Sequence, residues 1–465
     1  MAKIVIIGAG LTGLSAAYHL EKKGFSDYLL FEKESTIGGL CRSVQQDGFT
    51  FDFTGHLLHT SDPYFRALLE DIVGLENFNI IQRRSFVYSQ DVYTRYPYQI
   101  NLYGLPTQTI ANCIEGFVQR STHIKQPKTF RDWVLKNFGA GFGKHFFFPY
   151  QRKIFAYDIN KLSASWTGRF VPSTSLTQII NGALYDNTES IGYNANFLYP
   201  KHGGIFAWVE KFAQRIKKPI HTNFCVQTIN LQHKTITFTN GHVEPFEQLI
   251  TTMPLDNLLN HLEDKPTTAF KRARPYLLCN SVVNFNLGIK NKNVSDKHWI
   301  YFPQRNYPFY RLGFPHNFAD SMAPAGCSSL YGEFAHVNKP ASWVKKTLQD
   351  ALHKTKHVLN INEQDIATEC IIHIPHAYVI YDFWREKNLS TLLHRLQEQH
   401  VYSVGRYGEW KYASMQEAIL DGKKIADTLT IIPARRYHTP SKINQQKRNI
   451  SHESPHPTST HPERT

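Results

Sequence analysis

Two histidines, His56 and His59, stand three residues apart in the apolar and aromatic segment FDFTGHLLHT. Imidazoles at this spacing could form half of a metal site, pack as ordinary core residues, or line a cofactor pocket. The six cysteines are scattered and give neither histidine the further ligands that a structural zinc site needs. We therefore predict no metal site, and the choice between core and cofactor pocket depends on what the rest of the chain builds.

A second chemical signal is the glycine pattern of KIVIIGAGLTGLSAAYHLEKKG, where Gly8, Gly10 and Gly13 fit G-x-G-x-x-G. The first glycine permits a tight turn, the second lets backbone approach a pyrophosphate, and the third lets the helix pack on the strand. The next strand, YLLFEK, ends in Glu32, whose carboxylate can accept hydrogen bonds from ribose hydroxyls. Strand, turn, helix, strand and acid follow in order, which predicts a dinucleotide site.

The segment ESTIGGLCRS favours FAD over NAD, because Gly38 and Gly39 offer a second stretch of bare backbone to a ligand. An ordinary turn is the alternative. The segment resembles the extension found in flavoproteins of the amine oxidase and protoporphyrinogen oxidase group, where the glycine pair and its neighbours line the FAD. We expect further FAD contacts from Lys33, Gly39, Leu40, Ser43 and Val226.

Aromatic and basic side chains cluster in three later segments. The segments are RYPYQ with Tyr96, Tyr98 and Gln99, HWIYFPQRNYPFYR with Trp299, Tyr301, Tyr310 and Arg311, and GRYGEWKY with Arg406, Trp410 and Tyr412. Tyrosine and tryptophan can stack on a base and donate hydrogen bonds to phosphate oxygens, and arginine can form bidentate hydrogen bonds with phosphate. Each cluster alone could be core packing. Together, in a chain of formal net charge +14, they favour a nucleotide or phosphorylated substrate, and no segment has the pattern of a nucleic-acid site.

The elements that must position these residues indicate an α/β fold with a discontinuous Rossmann-like FAD-binding domain, a helical insertion and an antiparallel-sheet insertion. The predicted FAD-binding domain comprises residues 1–90, 196–265 and 370–430. Helical patterns dominate 91–195, and strand patterns dominate 266–369. The two insertions would face each other across the flavin and form a pocket there.

The composition of the chain predicts its cellular compartment and the character of its two terminal segments. The start, MAKIVIIGAG, is a short apolar run broken by glycines, so we predict a buried strand, no signal peptide and no transmembrane segment. Scattered cysteines indicate reduced thiols and a cytoplasmic protein. Residues 431–465 are rich in Pro, Ser, Thr and His, and we predict that this basic tail is disordered.

Six motifs in chain order, several of them already described, show a family resemblance. They are GGLCRS, GFTFDFTGHLLHTSDPYF, QRRSFVY with YPYQINLYGLP, QPKTFRDWVLKNFGAGFGKHFFFPYQRKIFA, SDKHWIYFPQRNYPFYR and GRYGEWKY. On these motifs, which cover most of residues 1–430, the chain resembles the UDP-galactopyranose mutases, and their eukaryotic-type branch more than the bacterial one.

The resemblance implies roles for residues of this chain. Gly55 and His56 correspond to the family's Gly-His beside the flavin ring, and Arg311 with Tyr301 corresponds to its phosphate-binding pair. Arg169 is the candidate for the second phosphate arginine. Tyr378 and Tyr412 correspond to the two tyrosines on the diphosphate. Arg406, Met415 and Gln416 correspond to C-terminal FAD contacts, and the expected remaining substrate contacts are Tyr96, Tyr98, Gln99, Tyr150, Gln151 and Trp299.

The implied function is interconversion of the pyranose and furanose forms of a UDP-sugar. In the family, reduced, non-covalently bound FAD attacks the anomeric carbon through N5, and the flavin–sugar adduct opens and recloses. NAD(P)H is a candidate reductant. Tyr150–Gln151 followed by Phe155 departs from the eukaryotic-type pattern, which leaves the sugar open. Two alternatives remain: an amine oxidase or protoporphyrinogen oxidase type of oxidoreductase, and a non-catalytic binding protein on the same fold.

With the FAD segments placed, FDFTGHLLHT becomes the strand and turn that pass the flavin ring. We then expect His56 to face the sugar and His59 to be a core histidine.

Overall fold

The computed structural model describes residues 4–167, 171–187, 195–263 and 268–431. Arg169 lies outside the described residues, as does the predicted disordered tail from residue 432 onward. No helix in the described part of the chain is both long and apolar enough to cross a membrane.

The strands mostly follow one another in runs, with helices between the runs. They are β1 (Ile4–Ile7), β2 (Tyr28–Phe31), β3 (Ser43–Gln46), β4 (Phe49–Asp52), β5 (Phe78–Gln82), β6 (Ser85–Ser89), β7 (Val92–Arg95), β8 (Asn196–Pro200), β9 (Ile220–His221), β10 (Val226–Asn230), β11 (Thr235–Phe238), β12 (Val243–Pro245), β13 (Gln248–Thr251), β14 (Ser281–Ile289), β15 (Trp299–Tyr301), β16 (Arg311–Gly313), β17 (Ser328–His336), β18 (Ile366–Ile374) and β19 (Val401–Ser403).

The helices concentrate between residues 107 and 184 and at the C-terminal end of the described chain. They are α1 (Leu11–Lys22), α2 (Pro63–Ile72), α3 (Thr107–Val118), α4 (Phe130–Asn137), α5 (Gly139–Phe142), α6 (Phe148–Phe155), α7 (Leu176–Leu184), α8 (Phe206–Ala213), α9 (Leu255–His261), α10 (Thr268–Ala273), α11 (Ala341–Leu359), α12 (Phe383–Glu398), α13 (Gly405–Gly408) and α14 (Met415–Ile431).

A five-stranded parallel sheet in the order β19–β13–β1–β2–β9 forms the first layer. Its central strand β1 is buried along its whole length, as expected for a parallel strand covered on both faces. Helix α14 returns to α1, where the hydroxyl of Ser15 donates to the carbonyl of Ile419 at 2.6 Å. N-terminal, middle and C-terminal segments therefore build one sheet, which confirms the predicted discontinuous Rossmann-like fold.

The strand-rich region forms a seven-stranded sheet in the order β18–β14–β17–β16–β15–β6–β7. Its strands pair antiparallel except at β15–β6, which is parallel. Alternation along β14 gives the sheet two unlike faces: Val283 and Phe285 belong to an apolar core that includes Ala351 of α11, whereas Asn284 faces the other way. In the register of the sheet, Asn284, Glu333 and Arg311 lie opposite one another on this second face.

The remaining elements agree with the sequence patterns. Strands β10–β12 form an antiparallel meander, and its second hairpin turns at the Asn240–Gly241 pair, a sequence typical of tight hairpin turns. Helices α3 to α7 supply the predicted helical region, in which a π-helical turn over Gly143–Phe147 joins α5 to α6. Such turns insert one extra residue into a helix and often occur near functional sites.

Candidate functional site

The glycine loop between β1 and α1 has the geometry of a phosphate cradle. A Cβ on Gly13 would lie 1.8 Å from the carbonyl oxygen of Gly8, and Gly8 itself has a φ of +99°. Helix α1 begins after Gly10 without a side-chain cap and without an acidic residue in its first turn. Its first backbone N–H groups and the positive end of its dipole are thus available to an anion.

The second glycine pair lies directly on this loop. The N–H of Gly38 donates to the carbonyl of Ala9 at 2.8 Å, and a Cβ on Gly39 would lie 3.3 Å from the Cα of Gly10. Glu32 is buried at the end of β2, and its carboxylate accepts from the N–H groups of Ala9 at 2.7 Å and Glu34 at 3.0 Å. These contacts fix the carboxylate beside the glycine loop, and the loop fits the pyrophosphate of FAD.

Side chains at the other predicted FAD positions have varied surroundings. Ser43 donates to the buried carboxylate of Asp52 at 2.6 Å. Lys33 is exposed and forms an ion pair with Glu34. Gln416 accepts from the N–H of Asp62 at 2.9 Å. The other three, Leu40, Val226 and Met415, are half-buried or buried apolar residues.

Gly13 allows a direct test of the cradle. We expect Gly13→Ala to purify with little or no bound FAD, because the new Cβ collides with backbone and must push α1 away from β1. Flavin absorbance per protein measures the loss. Gly241→Asn is the control, since Gly241 has a positive φ that asparagine tolerates and no atom near its Cβ position. Full FAD occupancy in Gly13→Ala would contradict the assignment of the cradle.

Arg406, in the short helix α13, brings a half-buried positive charge to the site. Its Nη1 donates to the carbonyl of Ala413 and its Nη2 to that of Ala377, each at 2.9 Å. The Nε is buried without a hydrogen-bond partner, and no carboxylate of the described chain forms an ion pair with this guanidinium. Its nearest rings include Tyr412, whose centroid is 4.7 Å from Cζ. A half-buried cation held by neutral acceptors is suited to an anionic ligand.

The tyrosines predicted to contact substrate come together from distant elements. Tyr301 of β15 lies 4.9 Å from Tyr96 and 5.4 Å from Tyr150 of α6, measured between ring centroids. Tyr378 lies 5.7 Å from the guanidinium of Arg406. Burial raises the pKa of Tyr378 to about 12, although Arg311 opposes the shift. The phenol therefore stays protonated at neutral pH and can donate to a phosphate oxygen.

Arg311 is held by a buried acid that the sequence interpretation did not include, Glu333. The two stand directly opposite on β16 and β17. The Nη2 of Arg311 donates to both carboxylate oxygens, at 2.8 and 2.9 Å, and its Nε to one of them at 3.2 Å. The side chain of Glu333 is fully buried and that of Arg311 is 17% exposed. A lone acid in the buried strand SSLYGEFAH was the signal that could have identified Glu333.

Gly55 links this ion pair to the segment of residues 55–59, here called the histidine turn, which carries His56 and His59. Its N–H points to the same carboxylate of Glu333, at 3.4 Å. A Cβ at Gly55 would lie 2.1 Å from the hydroxyl oxygen of Tyr331, so the glycine makes room for that tyrosine. The turn therefore lies against the sheet face that carries Arg311.

The two histidines of the turn have different neighbours. Burial, together with the positive charges of Arg406 and Arg311, lowers the pKa of His56 to about 4, so the ring is neutral and lies near both arginines. Burial also lowers the pKa of His59, but the charge that acts on this ring is Arg83, and the backbone of Asn196 opposes the shift. His56 thus faces the predicted site, and His59 faces β8.

The other four predicted substrate residues are all buried. Tyr98 is fully buried and stacks on Phe146 at 5.0 Å. Gln99 donates to the carbonyl of Pro172 at 3.0 Å. Gln151 is buried, and Trp299 packs against Phe197 at 5.9 Å. Their roles stay predictions, as does that of Arg169.

Possible metal ligands are dispersed. Within residues 4–167, 171–187, 195–263 and 268–431, no three His, Cys, Asp or Glu side chains lie close enough together to hold a metal ion. All six cysteines are free thiols.

Comparison with protein families gives one match over most of the chain. The model described as flavin containing amine oxidoreductase matches residues 11–430.

Among solved structures, the chain is similar to a reduced UDP-galactopyranose mutase. The TM-score is 0.86 at 27% identity, with 93% of this chain and 96% of that chain covered. Among curated proteins, it is 24% identical over 375 residues to a 4,4'-diapolycopene oxygenase from Methylomonas sp, which covers 70% of this chain and 74% of that protein. It is also 33% identical over 88 residues to protoporphyrinogen oxidase 2 from Arabidopsis thaliana, 18% of this chain and 17% of that protein.

Proposed function

Because the chain belongs to the flavin-containing amine oxidoreductase family, we propose that it binds FAD and interconverts the pyranose and furanose forms of a UDP-sugar. The observation that carries the proposal is the convergence of five side chains beside the histidine turn, which is predicted to pass the flavin. They are Arg311, Arg406, Tyr301, Tyr378 and Tyr412. Two half-buried guanidinium groups with tyrosine hydroxyls form a site for a diphosphate, and an amine or a polyene offers no such anion. The similarity to a UDP-galactopyranose mutase structure over 93% of the chain supports the same function.

The cofactor has a fitting place in the chain. The glycine loop, the uncapped start of α1 and Gly39 would hold the pyrophosphate, and Glu32 would hold the adenosine ribose. When bound and reduced, the flavin would supply a nucleophilic nitrogen for the anomeric carbon of the sugar. NAD(P)H remains our proposed reductant.

The side chains of the site have the task of binding and stabilising the diphosphate leaving group. Negative charge grows on the phosphate oxygens as the bond from the sugar to the diphosphate breaks. The guanidinium of Arg311 is already oriented by Glu333, so little reorganisation accompanies that change. Tyr378 and Tyr412 add hydroxyl groups beside Arg406.

His56 has a separate task at the proposed sugar position. Its pKa of about 4 keeps the ring neutral at neutral pH. A neutral imidazole can accept or donate a hydrogen bond to a sugar hydroxyl without adding charge. The neighbouring Gly55 keeps the chain close to the sheet face at this point.

The test is turnover of UDP-galactofuranose by the dithionite-reduced protein without oxygen. Formation of UDP-galactopyranose supports the proposal. Turnover of another nucleotide sugar instead would change the identity of the proposed substrate but not the reaction class. No reaction with any nucleotide sugar would refute the proposal.

An oxidase or desaturase is the second candidate, favoured by the family description and by the 24% identity with a 4,4'-diapolycopene oxygenase. Such an enzyme would reduce its flavin with an amine or a polyene and pass the electrons to oxygen. Steady hydrogen peroxide formation with an amine, without UDP-sugar turnover, would support this candidate.

A further inference from the structure

Lys153 of α6 reaches across to the loop between β15 and β16. Its Nζ donates to the carbonyl of Phe302 and, at 3.1 Å, to that of Gln304. In the described part of the chain no carboxylate forms an ion pair with this ammonium, and the nearby charge is Lys354. Burial lowers the pKa of Lys153 well below its ordinary value. Removing the ammonium of Lys153 from water costs desolvation energy. Its hydrogen bonds to the two backbone carbonyls offset part of that cost.

The loop that Lys153 holds separates the predicted phosphate-binding pair, Tyr301 and Arg311. Tyr301 immediately precedes it, and Tyr310 with Arg311 follows it. Lys153 is three residues after Tyr150, so both side chains project from one side of α6. The ring of Tyr150 meets Tyr301 at 5.4 Å and Tyr310 at 6.4 Å, nearly edge-on in both cases.

The next residue of α6 is tied to the other side of the site. The amide nitrogen of Asn280 donates to the carbonyl of Ile154 at 2.7 Å. The amide oxygen of the same fully buried Asn280 accepts from the N–H of Tyr378 at 2.8 Å. The last turn of α6 therefore contacts the chain beside Tyr301 through Lys153 and the chain at Tyr378 through Asn280.

We propose that Lys153 is a positioning residue, which sets the distance between Tyr150 on the helical region and Tyr301 on the seven-stranded sheet and thereby shapes the nucleotide pocket. The inference rests on the proposed function, because it takes these tyrosines as the walls of a UDP site. Lys153 does not touch the substrate itself and acts through the loop that begins at Phe302.

The experiment uses Lys153→Met, which keeps an unbranched side chain close to the length of the lysine stem and removes the ammonium donors. The expected result is a rise on the order of tenfold in both the Kd for UDP, measured from the flavin spectrum, and the KM for UDP-galactofuranose. We expect kcat to change less than about threefold, because the diphosphate arginines and His56 stay in place. Lys153→Arg restores a cationic donor and should recover most of the UDP affinity.

Lys161→Met is the matched control, since Lys161 is an exposed lysine outside the site. If Lys153→Met does not fold, Lys153→Gln, with a shorter neutral donor, takes its place. Unchanged UDP affinity in the folded variant, or no recovery in Lys153→Arg, would overturn the positioning role. The proposed function is judged separately on the wild-type protein: if that protein neither binds UDP nor turns over a nucleotide sugar, the proposed function fails and this inference fails with it.

Discussion

Arg311→Ala should lose activity and stability together. We expect kcat/KM for the UDP-sugar to fall by about a hundredfold to a thousandfold, because one of the charges that stabilise the leaving diphosphate is removed. The same change leaves the carboxylate of Glu333 fully buried without its cation, which should lower the free energy of unfolding by about 3 to 5 kcal/mol. Steady-state kinetics and chemical denaturation measure the two effects.

A double variant separates these effects. In Arg311→Ala/Glu333→Ala the unpaired acid is gone, so stability should largely return while activity stays low. Arg95→Ala is the control: Arg95 also forms a two-pronged ion pair, with Asp186, but that pair is exposed and should contribute at most about 1 kcal/mol. Recovery of activity in the double variant would show that Arg311 serves only to balance Glu333.

The second large effect is expected at the histidine turn. His56→Ala should keep its FAD and its stability nearly intact and lose about a hundredfold in kcat, because the neutral ring faces the proposed sugar position near Arg406 and Arg311. His59→Ala should instead retain most activity and lose about 1 to 3 kcal/mol of stability, because that ring packs towards β8 and Arg83.

The pair provides its own control, since both substitutions remove an imidazole from the same short turn. Flavin content, kcat and the midpoint of thermal unfolding are measured for each. Equal loss of activity in both variants, or loss of FAD in His56→Ala, would mean that the turn does not present His56 to the substrate.

Features encoded by local backbone chemistry were predictable from the sequence. The glycine spacing around Gly10 demands a strand, a tight turn and a helix within a few residues, and the structure has them. The hairpin at Asn240–Gly241 follows from turn preferences in the same way. The division of the first sheet among three distant segments was also predictable, because each segment carries its own strand and helix pattern.

Features that depend on how distant strands and helices meet were not predictable. Glu333 holds Arg311 only because the register of β16 and β17 places them opposite each other. The contact of Lys153 with the Phe302 carbonyl needs the packing of α6 on the sheet. Trp299 and Tyr301 share one face of β15, yet Trp299 packs against Phe197 and Tyr301 meets Tyr96 and Tyr150. Alternation along a strand gives the face of a residue but not its neighbour.

We propose that the site isomerises a UDP-sugar with a reduced flavin and no net oxidation. The measurement is chromatography of UDP-galactofuranose after anaerobic incubation with dithionite-reduced protein, beside the same protein left oxidised. We predict that the reduced protein forms UDP-galactopyranose over many turnovers and that the oxidised protein forms none. Absence of turnover of this or any other nucleotide sugar by the reduced, FAD-loaded protein would contradict the claim.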